Sequence, residues 1–174
     1  FRNLGMLRRR LHLANSETKQ QAYISLIRPS LEYASIIWHP HQDFLSSLLE
    51  SVQNKAARFI TSSYSKFQSV SLLKQALNLP SLTTRRKFAR LSFFHALYYS
   101  NSEFAGSHLL PAPHVSSRLD HPNKVCPIFA RTKKYQTSPL SLSITEWNDL
   151  PPDIAVLTDL SSFQAALLGL LDNL

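Results

Sequence analysis

Four side chains able to ligate a metal share one stretch of this sequence: His108, His114, His121 and Cys126. Their spacing matches none of the paired Cys/His patterns that close around zinc, and they read as polar loop residues. His39 and His41 flank Pro40 at an expected helix end, where imidazole can meet spare carbonyls. The three glycines stand alone, so no glycine-rich loop is available to cradle a phosphate. No two aspartates are adjacent, and the first half has no clustered carboxylates to hold magnesium. No serine lies in a nucleophile-elbow sequence. The expectation is a chain that catalyses nothing by itself and carries no metal or cofactor in this stretch.

Arginine and lysine remain. Residues 1–90 hold 14 Lys/Arg against four Asp/Glu, whereas residues 91–174 hold five against seven. Beyond Lys134 the only charged residues are Glu146, Asp149, Asp153, Asp159 and Asp172. A polyanionic partner would therefore meet the first half, and the last forty residues read as packing or protein contact. Cys126 is the sole cysteine, which excludes an internal disulfide. No apolar run approaches the ~18 residues of a membrane span, and the opening FRNLGMLRRRL lacks the apolar stretch of a signal peptide. The start at Phe1, already inside a helical pattern, reads as a cut-out or a truncated copy.

Helices must position these charges. Low glycine and abundant leucine at helical spacing predict a mostly α protein. A first helix is expected over 4–13, and Ser16 as the N-cap of a second reaching toward Trp38. Tyr23, Ile27, Ser30, Ala34 and Ile37 would line its core face, with Trp38 also buried. Pro29 sits inside that run, and a helix kinked over 25–29 is expected, at a cost of ~3 kcal/mol. Asp43 should cap a third helix whose stripe is Leu45, Leu48, Leu49, Val52, Ala56, Phe59 and Ile60. A polar break over 61–68, a short helix over 69–77 and a helix from Ser81 or Thr83 to Tyr99 follow. In the last of these Phe93, Phe94, Tyr98 and Tyr99 read as core, not as a platform for stacking bases. Pro111, Pro113, Pro122, Pro127 and Pro139 mark residues 101–140 as an extended connector with a short strand over 125–131. A short helix before Pro151-Pro152, with Trp147 in the core, and an amphipathic helix over 160–171 complete the chain.

Five stretches carry a resemblance: RPSLEYASIIW, LLESVQNKAARFI, LNLPSLTTRRKFARLSFFHAL, ITEWNDLP and LSSFQAAL, preceded by NLGMLRRRL. In this order and at these distances they resemble the C-terminal region of jockey-like, non-LTR (LINE-type) retrotransposon reverse transcriptases. The resemblance covers nearly the whole chain. It implies a helical thumb over 1–100, a connector over 101–140 and a helical tail over 141–174. The polymerase palm, with its Tyr-x-Asp-Asp motif, and an endonuclease would lie upstream, and the location would be nuclear. A thumb of this kind holds the RNA/DNA template-primer duplex by its phosphates. Arg8, Arg9, Arg10, Arg28, Lys55, Arg58, Arg85, Arg86, Lys87 and Arg90 are then the candidate contacts. Each alone also fits a solvated helix face, and only their clustering supports the assignment. One departure is Leu142, where the family often has arginine in an aromatic-Pro-Arg run before its Ile-x-x-Trp-Asn. The competing readings are a free-standing helical module that binds a protein, and an inert remnant of such an element.

Overall fold

The structure is a computed structural model and describes residues 1–65, 67–116 and 120–172. Lys66 of the polar break, residues 117–119 of the expected connector and residues 173–174 of the expected tail lie outside the described residues. The chain is mostly helical, and it forms two compact units, Phe1–Ser35 with Gln42–Thr83 and Ile36–His41 with Thr84–Leu174. The main boundary between the units lies between Thr83 and Thr84, with the 36–41 segment assigned to the second unit. Among the described residues, strand-like pairing is limited to one antiparallel bridge between Pro111 and Val125, and the strand expected over 125–131 does not form. Pro127 lacks the N–H a ladder would need there.

The first unit holds α1 (Arg2–Arg10), α2 (Ser16–Ala22), a π-turn (Tyr23–Ile27), α3 (Arg28–Glu32), α4 (Asp43–Ile60) and α5 (Val70–Ala76). Its core joins Leu4 and Leu7 of α1 to Tyr23 and Ile27, and these to Val52, Ala56, Phe59 and Ile60 of α4. The caps differ from expectation by one residue. Asn15, not Ser16, caps α2 by accepting the Thr18 N–H at 2.8 Å, and Gln42, not Asp43, precedes α4.

Pro29 is accommodated without ending the helix. The Arg28 N–H reaches back to the Tyr23 carbonyl, five residues earlier, so the turn before proline widens. A π-turn moves the carbonyl of residue i−4 away from the ring that would strike it. The Ser30 hydroxyl donates to the Ile27 carbonyl at 2.7 Å. The helix then stops at Glu32, with Ala34 in the left-handed region (φ 52°), and does not reach Trp38. Ile37 and Trp38 are exposed, contrary to their expected place in a core, because the residues that would have carried the helical stripe onward are no longer helical.

The second unit contains most of α6 (Leu82–Ser100), with α7 (Ser102–His108), α8 (Lys133–Gln136), α9 (Pro139–Asn148), α10 (Pro152–Ala155) and α11 (Leu160–Asp172). Trp147 is fully buried at its centre. Phe94, Tyr98 and Phe163 stand 5.3, 5.4 and 5.8 Å from it, centroid to centroid. Phe94, Tyr98 and Tyr99 are core as expected, whereas Phe93 points outward and is exposed. The proline-rich stretch contributes Leu109, His121 and Val125 to the buried interior. Its backbone is satisfied by side chains where a sheet would otherwise do so. Asn148 accepts the Val125 N–H at 2.9 Å and donates to the Val125 carbonyl at 2.7 Å. The Trp147 indole donates to the Asn123 carbonyl at 2.9 Å.

Trp147→Ala should therefore cost ~3–5 kcal/mol through the cavity it leaves. Urea unfolding of the 174-residue chain would show a shifted midpoint for the transition that Trp147 reports in the parent protein.

Candidate nucleic-acid interface

The ten candidate cations have different fates. Arg8, Arg9 and Arg10 are exposed on α1, and Lys55 is exposed on α4. Arg28, Arg85 and Lys87 are partly exposed. Arg58 is partly buried and committed to its own loop, donating to the carbonyls of Ser65 at 2.8 Å and Gln68 at 3.5 Å. The Lys55 ammonium lies 4.2 Å from the centroid of the Phe1 ring. Arg86 and Arg90 are 1% and 2% exposed, so neither can meet a phosphate as expected. They fall one helical turn apart on the inward face of α6, alongside Leu91 and Phe94.

Arg90 is held by its fork. Its Nε donates to Glu146 Oε2 at 2.9 Å and its Nη2 to Glu146 Oε1 at 2.5 Å. Its Nη1 lies 3.0 Å from His39 Nδ1, which must accept, because a guanidinium only donates. Burial, then the positive charges of Arg90 and Arg86, lower the His39 pKa from 6.5 to about 4. His95 and His121 are also buried and their pKa values are lowered, first by desolvation. Each gives its Nε2 hydrogen to a carbonyl, that of Leu157 at 2.7 Å and that of Trp147 at 2.9 Å. His121 is thus a core residue, not the loop residue its sequence context suggested. Among the described residues, no three His, Cys, Asp or Glu side chains gather as metal ligands would.

Exposed positive charge converges in the first unit. A concavity of about 530 Å³ is lined by Gly5, Arg8, Arg9, His12, Lys19, Phe59, Ser62 and Tyr64. Among the described residues no carboxylate lines it. Lys19, only 4% exposed, donates to Ser62 Oγ at 2.9 Å, and its ammonium lies 5.3 Å from the Phe59 centroid. The Arg8 guanidinium rests 5.5 Å from the centroid of Tyr64. His12 Nδ1 donates to the Arg9 carbonyl at 3.0 Å. Sequence reasoning picked out Arg8 and Arg9 here and missed Lys19 and His12. A signal for Lys19 existed: it lies one and two turns before Tyr23 and Ile27, on the face assigned to the core.

No protein-family model matches the chain, and neither curated proteins nor solved structures yield a match.

Arg90→Met leaves the partly buried Glu146 carboxylate unpaired and should destabilise by up to ~3 kcal/mol, while adding Glu146→Leu should restore most of that loss. The buried histidines set the direction of the pH dependence. A histidine whose folded pKa is depressed supports folding while neutral, so its contribution is complete above the unfolded value of 6.5 and is lost as pH falls through about 4. His39→Asn keeps an acceptor for Arg90 without titrating, so its melting temperature should fall less steeply over that window than the parent's.

Proposed function

We propose that this chain is a nucleic-acid-holding module: the thumb and following segment of a non-LTR retrotransposon reverse transcriptase, acting beside a palm located elsewhere in the full protein. In this reading it grips the phosphates of an RNA/DNA template-primer duplex in the nucleus and contributes no catalytic residue. The observation that carries the proposal is the basic surface of the first unit. There Arg8, Arg9, Arg10 and Lys55 are exposed, and Arg8 and Arg9 line a concavity that has no carboxylate among its described residues. The motif order in the sequence supports the same reading, as does the mostly helical fold. Among the described residues no helix is long and apolar enough to cross a membrane. Phosphate contacts by lysine and arginine position a duplex without reading its sequence. Arg86 and Arg90 leave the contact set, because they are buried, and Arg85 and Lys87 remain in it with Arg28.

Anisotropy with a labelled RNA–DNA hybrid across 50–200 mM salt tests the proposal, with about one unit of log–log slope lost for each phosphate contact removed. Replacing Arg8, Arg9 and Arg10 together by glutamine should flatten the slope by about three units, equally for unrelated sequences. Absence of hybrid binding at the lowest salt, or binding that resists salt, would overturn it. Salt-resistant capture of a protein partner would instead favour a free-standing interaction module.

A further inference from the structure

The concavity between α1, α2 and the end of α4 has features that a generally basic surface does not need. We propose that it is a discrete site for one phosphate group, carried by a mononucleotide or by the terminal nucleotide of a strand. The strand-borne source rests on the nucleic-acid reading above; the phosphate site itself does not.

Three observations converge. The first is Lys19. An ammonium has three N–H donors; one goes to Ser62 Oγ and the Phe59 ring flanks the group, yet among the described residues no carboxylate pairs with it. A buried cation without a counter-charge costs free energy that a bound anion would relieve. It stands among the other basic side chains of the lining, Arg8, Arg9 and His12.

The second is Ser62. The end of α4 closes with the Ser62 N–H on the Phe59 carbonyl at 3.3 Å and the Ser63 N–H on the Arg58 carbonyl at 3.1 Å. This is the Schellman pattern, whose left-handed residue is usually glycine. Here it is serine, at φ 54°. A side chain kept in a strained conformation calls for a reason beyond the turn. The reason available is its Oγ, which accepts from Lys19 and orients the ammonium at the wall of the concavity.

The third is Gly5, in the middle of α1, where glycine weakens a helix relative to alanine. Its φ is not positive, so the backbone does not require glycine. A Cβ there would sit 3.7 Å from Arg9 Nη1. That is an ordinary van der Waals contact, so alanine would fit there, whereas a larger side chain would compete with the Arg9 guanidinium for the space. The volume falls in the ~300–1,000 Å³ range of small-molecule sites, leaving space beside the phosphate for a nucleoside against Tyr64.

Calorimetric titration of the full 174-residue chain with inorganic phosphate, AMP and adenosine tests the site. AMP and phosphate should bind and adenosine should not. Arg9→Gln and Gly5→Leu should each weaken AMP by about tenfold or more, as loss of a charge-assisted bond or of the space for it implies. Arg2→Gln removes the same charge from α1 at an exposed position outside the lining and should change AMP binding less than about twofold. Gly5→Leu favours the helix, so a folded, non-binding variant remains available if a Lys19 variant fails to fold. Equal weakening by Arg9→Gln and Arg2→Gln, equal binding of adenosine, or no binding of AMP and phosphate would each overturn the site. A 5′-phosphorylated oligonucleotide should outcompete its 5′-hydroxyl twin for AMP. If both compete alike while AMP stays sensitive to Gly5→Leu, the site stands with the free mononucleotide as its source. Duplex binding without AMP binding overturns the site alone. AMP binding without any duplex or strand binding supports the site and overturns the nucleic-acid reading.

Discussion

The Arg90–Glu146 pair is the constraint around which the second unit is arranged. It places a two-pronged charge contact between α6 and α9, and the remaining prong of the guanidinium reaches His39 in the 36–41 segment. With both partners present the contact fixes the register of the two helices, because a planar fork accepts a carboxylate in few orientations. Trp147, next to Glu146, is thereby set among Phe94, Tyr98 and Phe163. Asn148, next again, fastens the Val125 backbone.

That arrangement also gives physical content to the motif ITEWN. Ile144 and Trp147 are buried, Glu146 answers Arg90, and Asn148 stands in for a strand neighbour of Val125. The residues that carry the sequence resemblance in the second half are therefore scaffold. The corresponding arginine of TRRKFAR belongs with them. A charge run on a helix reads as a surface for phosphate, yet two of its members, Arg86 and Arg90, turn inward. Periodicity could have separated them, since 86 and 90 share the face of Leu82 and Phe94 whereas 85 and 87 do not. What the sequence could not supply was the partner, Glu146, 56 residues away.

Helix content, the later part of the α4 stripe (Val52, Ala56, Phe59 and Ile60), the buried Trp147 and the final helix were legible because each rests on local spacing, whereas Leu48 of that stripe is exposed. The proline-rich segment was not. Turn residues at 111, 113, 122 and 127 describe a chain without regular structure, and that much is so, but irregular backbone can be buried when side chains such as Asn148 replace the missing ladder. The basic concavity was half legible. Arg8 and Arg9 stand in a visible cluster; Lys19 is hidden because a lone lysine on a helix is ordinarily solvated, and Ser62 because left-handed backbone is announced in sequence by glycine.

The π-turn at 23–27 has a consequence for how this chain should be compared with others. Such a turn holds one residue more than the α-helical turn it replaces, so the helical phase before Tyr23 and after Ile27 is offset by a single position. A relative without proline at the position of Pro29 has no need of the wider turn and can drop that residue while keeping every later side chain in place. A one-residue gap in this stretch would then record a change of helix type, and aligning the two chains without the gap would pair inward-facing positions with outward-facing ones from Arg28 onward.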